Sequence, residues 1–93
     1  MAGQASISPD ILARYAGDAA REVEGVRDVP KRGVKVSGSN GAVRVEIHVN
    51  AEWGASIPVL GRAVQTRVRE YLQRMADVEQ ATVDVVVDEI SPA

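Results

Sequence analysis

The sequence predicts an α+β fold, a two-layer sandwich with a three-stranded mixed sheet and both helices on one face. The periodicity of the apolar residues changes along the chain in the order helix, strand, strand, helix, strand. Each strand segment is apolar on one face only, so one layer of helices is enough to cover the sheet. With 93 residues and no cysteine, the chain is expected to form a single domain without disulfides.

The first helix is predicted to begin after Ser8 and to stop at Gly25. Ser8 is a typical capping residue, and Pro9 suits the first helical position. Asp10 then lies at the positive end of the helix dipole. The apolar face of this helix comprises Ile11, Leu12, Tyr15, Ala16, Ala19, Ala20 and Val23.

Residues 26–32 are predicted to be a connector, because they contain a proline and a basic pair. Two strands follow, at 34–37 and 43–50, and Gly38-Ser39-Asn40-Gly41 between them is a hairpin signal. The second strand alternates strictly, with Val43, Val45, Ile47 and Val49 inward and Arg44, Glu46, His48 and Asn50 outward.

A loop at 51–56 leads into a long helix, predicted to span 57–76. Its apolar stripe comprises Ile57, Leu60, Val64, Val68, Tyr71, Leu72 and Met75. The last strand is predicted at 81–89, with Val83, Val85 and Val87 inward and Thr82, Asp84, Val86 and Asp88 outward. This strand should run parallel to the second one, because a helical crossover joins them. Their adjacency in the sheet stays open.

Residues 1–6 are expected to be disordered, 7–90 to form the domain and 91–93 to be a tail. The N-terminus lacks the pattern of a signal peptide, and no apolar run approaches the length of a membrane span. A net charge of −2 argues against a general nucleic-acid binder. We therefore expect no nucleic-acid partner and no direct membrane insertion.

Several sequence segments resemble the alkaline shock protein family of bacterial stress proteins. The opening carries the resemblance through Ile7-Ser8-Pro9-Asp10-Ile11-Leu12, Ala16-Gly17-Asp18-Ala19-Ala20 and Val23-Glu24-Gly25-Val26. The middle and end carry it through Gly33-Val34-Lys35-Val36, Ile47-His48-Val49, Trp53-Gly54, Ile57-Pro58, Val64-Gln65, Val83-Asp84-Val85 and Val87-Asp88-Glu89-Ile90. The chain departs from the family at Met75-Ala76-Asp77-Val78, where many members have Met-Thr-Gly-Leu.

The resemblance implies a cytoplasmic, non-enzymatic protein linked to envelope stress. It further implies that the chain self-associates and reaches the membrane indirectly, through a small membrane-anchored protein partner. No cofactor or metal is implied. We therefore expect a scaffold or adaptor of the stress response.

His48 is the one residue from which a catalytic or metal site can be drawn, with Glu46 beside it and Asp84 or Asp88 across the sheet. The simpler interpretation is a solvated sheet face with cross-strand charge pairs. A small hydrolase using His48 is the weakest hypothesis, because no nucleophile motif accompanies it.

The candidate interaction surface combines this sheet face with two other features, and comprises Trp53, Arg62, Arg69, Arg44, Glu46 and His48. Arg62 and Arg69 lie on an arginine-rich helix face that is either solvated or a docking site. Trp53, in a loop, either covers the end of the core or anchors an interface. The alternative function is an RNA-binding module of KH-like topology, suggested by the arginine-rich helix and the order of helices and strands. The segment 38–41 fits the Gly-x-x-Gly pattern of a KH domain, but the strand patterns on both sides of it favour a hairpin turn.

Overall fold

The computed structural model describes residues 8–39 and 42–92. The elements are α1 (Pro9–Arg21), β1 (Val26–Asp28), β2 (Val34–Ser39), β3 (Ala42–Glu52), α2 (Ile57–Ala76) and β4 (Gln80–Ser91). The predicted α+β sandwich with both helices on one face is confirmed, although the sheet has four strands instead of three. The expected disorder of 1–6 and the turn residues Asn40 and Gly41 lie outside the described residues.

β3 is the central strand of the sheet. β4 pairs with it in parallel along its full length, from Ala42 to Glu52. β2 pairs antiparallel with 42–47 of β3, and β1 pairs antiparallel at Asn50 and Ala51. Because a strand has only two edges, β1 and β2 share the edge of β3 that is opposite to β4. The parallel orientation predicted for the second and last strands is confirmed, and the two are neighbours.

β1 corrects the prediction that 26–32 is only a connector. β2 covers the edge of β3 only as far as Ile47, and β1 covers part of the remainder. Asn50 Nδ2 donates a hydrogen bond of 2.6 Å to Asp28 Oδ1, which ties the short strand to β3. A three-residue strand of this kind has too few residues to show a periodicity of its own.

The core lies between the inner face of the sheet and the two helices. The apolar side chains of β3 that were predicted to point inward are 0 to 6% exposed. The residues of α2 that pack against the sheet are Leu60, Val64, Val68 and Leu72. The residues of α1 that do so are Leu12, Ala16, Ala19 and Ala20. The small alanines allow α1 to lie close to its neighbours, and Tyr15 contacts Tyr71 of α2 edge to face.

The helix starts are those that the capping residues predict. Ser8 Oγ accepts a hydrogen bond from the Ile11 amide at 3.3 Å, and Ser56 Oγ accepts one from the Val59 amide at 3.5 Å. α2 has the predicted bounds, whereas α1 ends at Arg21, before the predicted stop at Gly25. After α2, Asp77 adopts the left-handed conformation, with φ 59°.

Other predictions at element borders need correction. Ile11 and Met75, expected on apolar helix faces, are each 46% exposed. β3 continues through Ala51 and Glu52, which were predicted to be loop. β4 extends beyond its predicted range at both ends, to Gln80 and Ser91. The added residues of β3 pair with the added residues of β4. This pairing explains why both strands are longer than their own sequence patterns indicate.

Candidate interaction surface

The outer face of the sheet carries no helix, and its polar side chains come mainly from β3 and β4. Arg44, Glu46 and His48 point to this face from β3, as the alternation predicts. Asp84, Val86 and Asp88 point to it from β4. Arg44 Nε lies 3.7 Å from Asp84 Oδ2, and both side chains are more than half exposed. This pair is therefore largely screened by water.

His48 lies between two carboxylates. Its Nδ1 is 2.8 Å from Asp88 Oδ1 and its Nε2 is 3.0 Å from Glu46 Oε2. The hydrogen bond to Asp88, followed by that to Glu46, raises the pKa of His48, and this outweighs the opposing effect of desolvation. Both ring nitrogens donate in the imidazolium form, so the arrangement favours the cation.

The arrangement around His48 is suited to holding strands together. The contact with Asp88 joins β3 to β4, whereas Glu46 lies on the same strand as His48. A general base needs a free ring nitrogen directed at its substrate, and here each nitrogen contacts a carboxylate. Among residues 8–39 and 42–92, no group of three or more His, Cys, Asp or Glu side chains is placed to hold a metal ion.

Asp88 owes its position to an irregularity in the β3–β4 ladder. Val49 pairs with Val87, but the next residue, Asn50, pairs with Glu89, so Asp88 is an extra residue on β4. Such a bulge resets the alternation. Because of the bulge, neither Asp88 nor Glu89 points into the core. The sequence signal for the bulge is two consecutive acidic residues at the end of a strictly alternating strand.

The arginines of α2 differ in the contacts that they make within the chain. Arg67 Nη1 donates to Glu22 Oε1 at 2.8 Å and so connects α2 to the end of α1. Arg69 Nε donates to the carbonyl of Ala81 on β4 at 3.3 Å. Arg62 is exposed and makes no hydrogen bond or ion pair with the part of the chain that the structure describes. Arg69 is exposed as well, although its Nε is bound to the strand.

Two further side chains define the border of the surface. Trp53 is 70% exposed, and its amide donates to the carbonyl of Ser91 at 2.9 Å, which places it beside the end of β4. Gln65 Nε2 donates to the carbonyl of Val83 at 3.0 Å. In the sequence, Gln65 stands out only as part of the Val64-Gln65 segment that resembles the family, and nothing there indicates this contact with β4.

A known family matches this chain. The profile of a family described as having a cell envelope-related function matches residues 27–92, which is more than half of the chain. The chain belongs to the alkaline shock protein 23 family. The resemblance found in the sequence segments is therefore confirmed, and the matched range runs from β1 to the end of β4.

A curated relative adds little about the activity of the family. It is named uncharacterized protein YqhY of Bacillus subtilis (strain 168) and is 27% identical over 89 residues. The match covers 78% of this alkaline shock family chain and 66% of YqhY, so the chain spans just under two thirds of that protein.

Solved structures of the MamM CTD share the fold of this family member. One structure of that domain has a TM-score of 0.59 at 16% identity, covering 85% of this chain and 98% of the other. A cadmium form has a TM-score of 0.61 at 17% identity, covering 87% and 99%. A nickel form has a TM-score of 0.58 at 11% identity, covering 86% and 96%. At such identities the likeness concerns the fold alone.

No helix in the described part of the chain is both long enough and apolar enough to cross a membrane.

Proposed function

We propose that this protein is a non-catalytic adaptor of the cell-envelope stress response, which acts by associating with copies of itself and with other proteins. The family description, a cell envelope-related function, supports the biological setting. The observation that carries the proposal is the one-sided cover of the sheet. Both helices pack on the inner face. Among the described residues no helix covers the outer face, and no further strand pairs with the outer edge of β4.

The chemistry of the open face favours binding over catalysis. Arg44 is paired with Asp84, and His48 is paired with Glu46 and Asp88; the groups around His48 are 30 to 47% exposed. Catalytic groups are usually found in clefts that shield them from water. A flat face with paired charges, an exposed Val86 and a nearby Trp53 has the features of a protein-binding surface.

We place the protein in the cytoplasm, bound peripherally to the membrane through a small membrane-anchored protein. Arg62 and Trp53, which are both exposed, are the residues we assign to this contact in addition to the open face. Electrostatic attraction through Arg62 would be weakened by salt, since it lies at the surface.

The alternative of a KH-like RNA-binding module is not favoured by the structure. Gly38 and Ser39 end β2, and β3 begins at Ala42, so strands flank the Gly-x-x-Gly segment. In a KH domain the corresponding loop holds the nucleic-acid backbone. The net charge of −2 gives no general attraction for phosphates.

Sedimentation velocity over a wide concentration range tests self-association, and co-purification from detergent-solubilised envelopes tests partner binding. We expect concentration-dependent oligomers and recovery of a defined protein with a membrane span. The test variant combines Arg62→Ser with Trp53→Ala. The control variant is Arg14→Ser on α1. Two results together would refute the proposal: the protein is strictly monomeric, and the paired substitutions leave the co-purification unchanged.

A further inference from the structure

The outer edge of β4 is the longest strand edge that has no partner strand among the described residues. β4 spans Gln80–Ser91 and pairs with β3 on one side. No other strand among the described residues pairs with it. Edge strands of this length invite pairing with a second chain unless side chains or irregularities protect them.

Side chains of α2 protect the first half of this edge. Gln65 donates to the carbonyl of Val83, and Arg69 donates to the carbonyl of Ala81. The two donors are one helical turn apart, and the two carbonyls are two residues apart, so they point to the same side of the strand. Both carbonyls are therefore blocked against a further strand by side chains of the same molecule.

The protection stops where the helix has a glycine. Gly61 lies one helical turn before Gln65 on α2. If the spacing of the two contacts from Arg69 and Gln65 is continued, Gly61 lies opposite Val85 on β4. A Cβ atom at Gly61 would have no heavy atom within 4 Å, so the space beside the helix is open there. Gly61 has no side chain to donate to Val85, and among the described residues no side chain of α2 donates to the carbonyl of Val85 or Val87.

The stretch of β4 around Val86 is complementary to itself. Asp84-Val85-Val86-Val87-Asp88 reads the same in both directions. A two-fold axis at Val86 sets Val85 of each copy opposite Val87 of the other. Antiparallel residues in such hydrogen-bonded pairs exchange two bonds, so the two pairs supply about four in total. Val86, which is 39% exposed, then contacts Val86 of the other copy.

The acidic residues at both ends of the stretch already have basic partners. In this register Asp84 of one copy lies opposite Asp88 of the other. Arg44 lies 3.7 Å from Asp84, and His48 lies 2.8 Å from Asp88. These intramolecular pairs reduce the repulsion that two like charges on opposite strands would otherwise cause.

We propose that Val85–Val87 of β4 pairs antiparallel with the same segment of a second copy, forming one continuous sheet across a two-fold dimer. This inference rests on the self-association in the proposed function and names its contact. The occupant is a second copy because the segment is self-complementary and because, among the described residues, no side chain of α2 donates to its carbonyls.

Substitutions at Gly61 test the contact without touching the edge itself. Gly61→Gln places a donor one turn before Gln65, where it can bind the carbonyl of Val85 and block pairing. Gly61→Ala is the matched control, because it is too short to reach β4. Glycine is unfavourable inside a helix, so both variants should fold at least as stably as the wild type.

We expect Gly61→Gln to weaken dimerisation in sedimentation velocity by about tenfold or more, which corresponds to the loss of one or two backbone hydrogen bonds. Gly61→Ala should dimerise like the wild type. A Gly61→Gln protein that dimerises normally would overturn this contact and leave the proposed function standing. A wild-type protein that stays monomeric would refute this contact and the self-association in the proposed function.

Cross-linking provides an independent test of the register. The chain has no cysteine, so Val86→Cys introduces a single thiol at the proposed axis. Directly opposed residues of antiparallel strands are close enough for a disulfide. We expect mild oxidation to give a covalent dimer with Val86→Cys and not with Thr82→Cys, which is exposed on the same face of β4 but far from the axis. Equal yields from both would exclude this register.

Discussion

His48 is the only histidine of the chain, so its titration can be followed without ambiguity. Its two ring nitrogens lie 2.8 Å from Asp88 and 3.0 Å from Glu46, and these contacts raise its pKa. We expect the pKa of His48, measured from the imidazole proton shifts in NMR, to lie above the ordinary value of about 6.5. Asp88→Asn should lower it most, because the hydrogen bond to Asp88 is the largest cause.

The same contacts predict how stability depends on pH. Because the pKa of His48 is raised on folding, its stabilising effect is complete below about pH 6.5, the value in the unfolded chain. The effect is lost as pH rises through the folded-state pKa. The three side chains are 30 to 47% exposed, so water screens both contacts. Exposed ion pairs contribute about 0.2 to 1 kcal/mol each, and we therefore expect about 1 kcal/mol for the two together.

Urea unfolding of the wild type and of His48→Gln, carried out between pH 5 and pH 9, measures this contribution. The difference in the free energy of unfolding should be largest at the acidic end and should shrink as pH rises. Arg44→Gln serves as the control, since its partner Asp84 does not contact His48. A difference that is independent of pH, or a pKa of His48 below its ordinary value, would contradict the structural interpretation of the cluster.

Three other substitutions probe the fold. Leu72→Ala should lower the free energy of unfolding by about 2 to 5 kcal/mol, because Leu72 is fully buried; a loss below 1 kcal/mol would place it outside the core. Asp77→Gly should raise it by about 1 kcal/mol, since glycine adopts the left-handed conformation without strain, whereas Asp77→Asn should have little effect. Trp53→Ala should change it by less than about 0.5 kcal/mol, because the side chain is 70% exposed; a larger loss in thermal unfolding would show that it packs on the core.

The parts of the fold with strong local signals could be predicted from the sequence. α2 has the predicted bounds because Ser56, Pro58 and a long apolar stripe mark it independently. The inward and outward faces of β3 follow from strict alternation. β1 could not be predicted, because Val26–Asp28 becomes a strand only by pairing with the part of β3 that β2 leaves uncovered.

The candidate site shows the same limit. The sequence placed Arg44, Glu46 and His48 on one face, but it left open whether Asp84 or Asp88 lies next to His48. That choice depends on the register between β3 and β4, which pairs Glu46 with Asp84 and adds Asp88 as the bulge residue. The roles of Gln65 and Arg69 at the edge of β4 likewise depend on how the helix lies over the sheet, which periodicity does not specify.

The topology of β3 also has a consequence for folding kinetics. β2 lies next to β3 in sequence, whereas β4 can pair only after the whole of α2 has crossed the sheet. Local hairpin contacts form in microseconds, and contacts between distant segments form later because closing a longer loop costs more entropy. We therefore expect β3 to have one vacant edge in molecules that are only partly folded. At high concentration, β4 of a neighbouring molecule would compete for that vacancy, so refolding from denaturant should give the most monomeric product when the protein is dilute.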